Sequence, residues 1–218
     1  MKRSFFIVGV LAALTCVAWA VDVARELDTA AQVVHDMSSS NQIPASYLNS
    51  SECIAVFPKL SKGGFIVGGE HGNGFASCRT SSGWSAPAFI SITGASIGFQ
   101  AGAEHQDIIL LMNGEGKQEL KNGHWDLGAE AVAAGPTGAS VGTGQSTGWK
   151  APVLSYSRSS GAYAGANLQG SKISADQDMI HNIYGENASF ESVLSGQAQP
   201  PASAQKFLDA LPPAQGQK

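Results

Sequence analysis

The chain has 218 residues, of which 43% are hydrophobic and 14% are charged, and its formal net charge is −4. This length and composition are typical of one globular domain with a substantial core. The negative charge opposes long-range attraction to nucleic acid or anionic lipid, so any such contact needs a local basic patch. We therefore expect no nucleic acid partner.

The first 20 residues have the pattern of a secretory signal peptide. Lys2 and Arg3 precede an apolar run at 5–17, and Ala-Trp-Ala at 18–20 matches a cleavage site. The run is short for a membrane span. We expect export to the periplasm or cell envelope, with an uncleaved anchor or a lipoprotein acylated at Cys16 as the alternatives.

Removal of this segment changes the charge and the cysteine count. The 13 basic residues fall to 11 against 17 acidic ones, a net charge of −6, and the remaining cysteines are Cys53 and Cys78. An even number of cysteines in an exported protein predicts a disulfide. Two buried free thiols are the alternative, because a sequence does not show whether the two Cα atoms come within reach.

A helix is predicted from Asp22 to Met37, followed by a short helical turn from Pro44 to Leu48. The first helix has an apolar stripe with the 3.6-residue period, formed by Val23, Leu27, Ala30, Ala31 and Val34. The same helix carries one arginine and four acidic residues. We interpret the stripe as core packing and not as a membrane-binding face.

Short apolar runs interrupted by glycine then predict consecutive β-strands, at 53–57, 63–69, 75–79, 88–93, 97–103 and 107–112. Pro58 is predicted to end the first strand, and glycine-rich turns are predicted at 71–74 and 113–116. Glycine inside a strand lowers stability unless a bulge, a bend or a close approach requires it. The glycines therefore predict backbones that pass close to another group.

Helices are predicted to close the chain. Ser174 and Gln177 form a capping box for a helix that Gly185 ends, and a short helix runs from Phe190 to Leu194. After a proline-containing linker, Ala204, Phe207, Leu208 and Leu211 predict a last amphipathic helix. Residues 212–218 are predicted to be disordered.

The sequence offers no enzyme mechanism. Segments 94–98 and 138–142 fit the G-x-S-x-G pattern of a nucleophile elbow, which would make Ser96 the nucleophile of an esterase. That motif needs a helix after the serine, and neither segment is followed by a helical pattern. The five histidines lack the helical spacing of a zinc site, so we expect no metal and no cofactor.

Several ordered blocks resemble the SYLF domain, also called the Ysc84 domain. The blocks are Ala55-Val56-Phe57-Pro58-Lys59, Lys62 to Gly69, Gly83 to Ile90, Gly94 to Gly98, Ser155 to Gly161, Gly170-Ser171-Lys172-Ile173 and Tyr184-Gly185. The resemblance covers roughly residues 24–196. It implies a non-enzymatic lipid-binding module. Eukaryotic members bind phosphoinositide membranes, in part through a basic amphipathic N-terminal helix, and fungal members also bind actin.

Only part of what the resemblance implies suits this chain. The N-terminal helix is acidic, and an exported protein does not meet cytosolic actin. We therefore expect lipid to bind the glycine-rich domain itself. Four cations beside the family blocks are the candidates for phosphate contacts: Lys59, Lys62, Arg158 and Lys172.

Together these patterns predict an α+β protein with a mainly antiparallel, glycine-rich sheet, barrel- or sandwich-like, and helices at both ends. A signal peptide at 1–20 precedes a SYLF-like domain at 21–196 and a linker with a short helix at 197–218. The expected function is binding of phospholipid in the bacterial cell envelope, a phosphoinositide-type head group being one option. The alternatives are a scaffold that binds an envelope protein partner and, third, an esterase that uses Ser96.

Overall fold

The fold is known from a computed structural model, which describes residues 4–40, 42–64, 67–97, 102–135, 150–159, 162–165 and 168–213. The helices are α1 Ser4–Ser39, α2 Ala45–Ser50, α3 Gly114–Lys121, α4 Gln177–Tyr184, α5 Phe190–Leu194 and α6 Gln205–Ala210. The strands are β1 Cys53–Gly64, β2 Val67–Thr80, β3 Gly83–Trp84, β4 Ala88–Ile97, β5 Gly102–Met112, β6 His124–Asp126, β7 Val132–Ala134, β8 Val153–Ser159, β9 Ala162–Gly165 and β10 Lys172–Ala175.

The strands form one curled sheet in the order β6-β10-β4-β2-β1-β5-β8-β7, with β3 paired to β2 and β9 paired to β8. The pairs are antiparallel except for β7 with β8, which run parallel. Helices lie at both ends of the chain. The predicted α+β class, with a mainly antiparallel sheet, is confirmed.

The core lies around the central strands β1 and β5. All side chains at 53–57 and 108–112 are buried, as expected for strands covered on both faces. Helix α1 packs against β1, β2 and α6, and its apolar stripe is buried. The core-packing interpretation of the stripe is confirmed. Among the residues that the structure describes, no helix has the length and apolarity of a membrane span.

The prediction that Pro58 ends the first strand was wrong. Strand β1 continues to Gly64, and its pairing with both neighbours shifts register around Pro58. Proline has no N–H to donate to a ladder, and a bulge is a position within a sheet where that loss is tolerated. Lys59, the next residue, has a φ of 59°. The interruption therefore bends a continuous strand and does not end it.

The predicted turn at 71–74 was also wrong, because β2 runs through it without a break. A Cβ on Gly74 would lie 2.3 Å from the Val56 carbonyl oxygen and 2.6 Å from the Phe57 ring, and one on Gly72 would lie 2.8 Å from Leu60. These glycines let neighbouring side chains lie against the backbone. The expectation of a close approach is confirmed here.

Other element boundaries differ from the predictions for local reasons. The strand predicted at 63–69 contains the end of β1 and the start of β2, and residues 98–101 of the strand predicted at 97–103 lie outside the described residues. The turn predicted at 113–116 is the start of α3, whose N-cap Asn113 accepts from two backbone amides. Asp176 caps α4 in place of the predicted Ser174, which lies in β10.

The C-terminal helices α4, α5 and α6 match their predictions in position, and Phe207 is fully buried. The predicted disorder was wrong for Pro212 and Pro213, whose carbonyls accept hydrogen bonds from Trp84 and Arg79. The rest of that segment, 214–218, lies outside the described residues.

Cys53 and Cys78 lie directly opposite each other in β1 and β2, with Cα atoms 4.0 Å apart. Their sulfur atoms are joined as a disulfide, and both residues are fully buried. A cross-link across a sequence separation of 25 residues stabilises the fold by roughly 3 kcal/mol in the chain-entropy model. It ties together the two strands that form one wall of the cavity described next.

Candidate functional site

The bulge in β1 places Lys59 at an edge between the sheet and α1. The Lys59 backbone N–H, freed from the ladder, donates to Asp107 Oδ1 at 3.1 Å. The Lys59 side chain is exposed. Within the described parts of the chain, no carboxylate lies within 4.0 Å of its ammonium nitrogen. The local fold therefore presents a free positive charge at the bulge.

A cavity of about 350 Å³ opens beside this lysine, between α1 and the first two strands. We call it the polar cavity. Its walls are formed by residues of α1 (Arg25, Glu26 and Thr29), of β1 (Pro58, Lys59 and Ser61) and of β2 (His71, Gly72, Asn73 and Phe75). The lining contains the basic side chains of Arg25, Lys59 and His71, together with hydroxyl and amide groups. Such a lining can donate hydrogen bonds to an anionic oxygen.

A second cavity, of about 300 Å³, continues from the first along α1, and we call it the apolar cavity. The two cavities share Glu26, Asn73 and Phe75. Beyond the shared residues, the lining includes Val23, Gly74, Phe89, Ile90 and Met179, with Asp22 and Asp176 also present. The two cavities together, which we call the α1 groove, have a polar lining of mixed charge at one end, with Lys59, Arg25 and Glu26, and apolar side chains beside two aspartates at the other.

Carboxylates moderate the charge of the α1 groove. Arg25 forms an exposed ion pair with Asp22 at 2.5 Å. Burial, and secondarily the negative charge of Asp22, raise the pKa of Glu26, while Arg25 acts in the opposite direction. An acid with a raised pKa loses its negative charge at a higher pH than usual. The groove therefore becomes more positive as the pH falls through the pKa of Glu26.

Lys62 is close to Lys59 in sequence but does not line the α1 groove. Its ammonium lies 3.2 Å from Glu70 Oε2, and the two side chains are 12% and 3% exposed. Ser171 Oγ donates to the other Glu70 oxygen, so the buried carboxylate has two partners. Neighbouring residues of a strand point to opposite faces, and Ser61 faces the groove. Lys62 is held in an internal charge pair.

The other two candidate cations also have carboxylate partners. Arg158 is linked to Asp107 Oδ2 at 2.7 Å and to Asp36 Oδ2 at 2.6 Å, which ties β8 to β5 and α1. Lys172 of β10 lies 3.4 Å from Asp126 of β6, at the end of the strand order opposite to β8. The structure thus brings Lys59 and Arg158 to the same aspartate but does not gather all four cations into one site.

The described backbone around Ser96 lacks the strand-to-helix turn of a nucleophile elbow. Ser96 lies within β4, opposite Gly68 of β2, and the second G-x-S-x-G segment lies outside the described residues. His105 Nδ1 lies 3.1 Å from Ser61 Oγ, and both side chains are exposed. Across the described part of the chain there is no group of three or more His, Cys, Asp or Glu side chains that could hold a metal.

Of the residues that line the α1 groove, the sequence identified only Lys59 as a candidate for ligand contact, and the polar side chains it missed include Arg25, Thr29, His71 and Asn73. Arg25 and Thr29 face the groove because they lie off the buried stripe of α1. His71 and Asn73 alternate with the buried Gly72 and Gly74 along β2. That alternation was the available signal, and it was lost because the segment was interpreted as a turn.

Comparison with known proteins identifies the family. The family model described as "Ysc84: Las17-binding protein actin regulator" matches residues 93–214, more than half of the chain. The chain belongs to the Ysc84 family. The predicted SYLF, or Ysc84, resemblance is thus confirmed. The family description names a binding protein and not an enzyme.

Individual Ysc84 relatives align over most of this chain. SH3 domain-containing protein PJ696.02 of Schizosaccharomyces pombe is 33% identical over 80% of the chain, and Protein YSC84 of Saccharomyces cerevisiae is 32% identical over 85%. SH3 domain-containing YSC84-like protein 1 of Homo sapiens is 30% identical over 78%. The chain spans only 42% to 50% of the length of these three relatives.

Most of the α1 groove lies before the segment that the Ysc84 family model matches. Its α1, β1 and β2 walls come from residues 22–75, whereas Asp176 and Met179 lie inside the match. The family match therefore covers little of the groove, which is defined by the geometry of this chain. The name of the family does not supply it.

Proposed function

We propose that this Ysc84 protein binds a phospholipid in the α1 groove, within the bacterial cell envelope, and catalyses no reaction. The proposal rests on the exposed Lys59 ammonium, which lines the polar cavity and has no carboxylate within 4.0 Å among the described residues. The polar cavity continues into the apolar cavity. A phospholipid has a negative phosphate that can pair with Lys59, followed by hydrocarbon chains that can contact apolar side chains. Polar groups at one end and apolar lining at the other are what fix the orientation of such a ligand.

The proposed contacts follow from the donors available. Lys59 provides a charged donor to a phosphate oxygen, and Ser61, His71 and Thr29 provide further donors beside it. An acyl chain would contact Phe75, Phe89 and Met179 in the apolar cavity. Of the four cations identified in the sequence, Lys59 keeps the phosphate role, since the other three are paired with carboxylates.

Export to the periplasm or cell envelope is part of this proposal. It is supported by the signal-peptide pattern of residues 1–20 and by two cysteines that form a disulfide. A chain cleaved after Ala20 would still contain every residue of the groove, which begins at Asp22.

Binding of a partner protein is the second candidate function. The observation that favours it is the family description, which names Las17 binding and actin regulation for its members. A phospholipid enters a groove, whereas a protein partner covers a wider exposed face. Single substitutions inside the groove are therefore expected to weaken lipid binding more than binding of a protein partner.

Replacing Lys59 by glutamate is expected to weaken binding to vesicles that contain phosphatidylglycerol by about tenfold or more, because a charge-assisted hydrogen bond is lost and a repulsive charge is added. Co-sedimentation with vesicles of graded composition measures the effect. Lys172→Glu is the matched control, since Lys172 is a partly exposed lysine away from the groove. Equal losses in both variants, or no loss with Lys59→Glu, would overturn the assignment.

Binding to anionic vesicles in the same assay is expected to depend on pH. As the pH falls through the raised pKa of Glu26, the groove loses a negative charge, so binding to anionic vesicles is expected to strengthen. Glu26→Gln is expected to bind at neutral pH as the unaltered protein does at acidic pH, and with a weaker pH dependence. Unchanged binding by Glu26→Gln would show that the lipid does not approach this end of α1.

A further inference from the structure

A separate contact, made by the residues that follow α6, has the chemistry of a recognition site. After α6 the chain turns back, and Leu211-Pro212-Pro213 lies against the hairpin of β2 and β3. Trp84 Nε1 donates to the Pro212 carbonyl at 2.7 Å, and Arg79 Nη1 donates to the Pro213 carbonyl at 3.1 Å. Two donors thus bind two successive carbonyls of one segment.

Leu211, the first residue of the bound segment, has the backbone conformation that its sequence favours. Leu211 has φ −73° and ψ 152°, close to polyproline II values. A residue before proline is biased to this region, and each proline ring fixes its own φ near −65°. A polyproline II segment has no internal hydrogen bonds, so its carbonyls are free to accept from another surface. The buried Leu211 side chain adds an apolar anchor.

The surface that receives the segment is held in place without it. Arg79 and Trp84 are directly opposite each other in β2 and β3, and the guanidinium lies over the indole, 4.4 Å from its centroid. The remaining guanidinium donors bind the Ser51 carbonyl at 2.8 Å and the Asn49 carbonyl at 3.2 Å. A stacked aromatic with a fixed donor is a surface suited to proline-containing peptides.

We propose that Arg79 and Trp84 form a recognition site for Leu-Pro-Pro segments in the polyproline II conformation. Residues 211–213 occupy this site in the same molecule. Neither Arg79 nor Trp84 lines the α1 groove. The contact consists of two hydrogen bonds and one buried apolar side chain, with no covalent cross-link. A Leu-Pro-Pro segment supplied from outside therefore competes with the chain's own segment for the same two donors.

The site also connects with α6 and α1. The bound segment directly follows α6, which packs on α1, and Lys206 of α6 pairs with Asp28 of α1 at 2.7 Å. Phe207 of α6 lies 6.1 Å, centroid to centroid, from Phe75. Occupation of the site by the chain's own segment therefore holds α6 against the helix that forms one wall of the α1 groove.

The test uses the full chain with Pro212→Gly and Pro213→Gly together, which removes the conformational preference of the segment. The probe is a synthetic peptide with the native sequence from Leu208 to Lys218. The readout is the NMR signal of the Trp84 indole N–H, assigned by its loss in Trp84→Phe. The signal is expected to shift in the double variant and to return toward its original position as the peptide is added.

Three controls make the result decisive. A peptide with alanine in place of both prolines is expected to bind at least about tenfold more weakly, because its bound conformation is not favoured in advance. The unaltered protein is expected to respond to the native peptide only at much higher concentration, since its site is already occupied. Trp84→Phe in the double variant, followed through amide signals, is expected to abolish peptide binding.

The proposal is overturned by any of three results. The first is an indole signal that is the same in the unaltered protein and in the double variant, which would show that the segment is not bound in solution. The second is equal binding of the proline and alanine peptides, which would show that polyproline II conformation is not recognised. An unaltered protein that elutes as a dimer, with the signal shifted on dilution, would also contradict occupation within one molecule.

Discussion

Lys62→Met is expected to destabilise the fold by about 3–5 kcal/mol, because it leaves a charged carboxylate in the interior without its partner. Glu70 is 3% exposed, and its remaining partner is the neutral Ser171. Urea unfolding measures the loss, which should appear as a lower midpoint with an unchanged slope. This is the largest single effect that the structure predicts.

Two variants separate a charge effect from a packing effect. Replacing both members, Lys62→Met with Glu70→Gln, is expected to recover much of the lost stability, since no unpaired charge is left inside. Lys172→Met breaks the exposed pair with Asp126 and is expected to change stability by about 1 kcal/mol or less. A double variant no more stable than Lys62→Met alone would contradict this account of the pair.

Gly74→Ala is expected to destabilise the fold by about 3 kcal/mol, at the upper end for overpacking of a core. The added Cβ would lie 2.3 Å from a backbone oxygen of the neighbouring strand and 2.6 Å from the Phe57 ring, so the β1–β2 pair itself must move. Thermal unfolding measures the effect. The lower unfolding temperature should be accompanied by loss of any lipid bound in the α1 groove, because Gly74 lines the groove.

The same strand offers a matched control. A Cβ on Gly69 would meet only the Gly94 carbonyl oxygen, at 3.8 Å, which is an ordinary contact. Gly69→Ala is therefore expected to change the unfolding free energy by no more than about 0.5 kcal/mol. If both alanine variants lost the same stability, β-strand preference and not close approach would explain the glycines.

The fold class followed from the sequence because its signals were local and periodic. The α1 stripe, the apolar runs and the glycine that ends α4 each depend on spacing within one element. The pairing order of ten strands could not be inferred, because it depends on contacts between residues far apart in the chain. A glycine-rich segment such as 71–74 is typical both of a turn and of a strand in a crowded position, and for this reason the predicted turn was wrong.

The candidate site was predicted only in part, for a similar reason. Lys59 was selected because it lies beside a family block, and its role depends on a bulge that frees its backbone and exposes its side chain. Lys62 and Arg158 carry the same formal charge in the sequence, but their carboxylate partners come from other strands and from α1. Sequence shows which residues are cationic, whereas the fold decides which of them remain available to a ligand.

Native mass spectrometry of the protein, purified in mild detergent, tests the central claim most directly. Our account predicts one retained phospholipid per chain, with much less retained by Lys59→Glu and an unchanged amount by Lys172→Glu. The mass of the released ligand would identify its class. A protein that carries no lipid in any of the three forms, or that retains lipid equally in all of them, would contradict binding in the α1 groove.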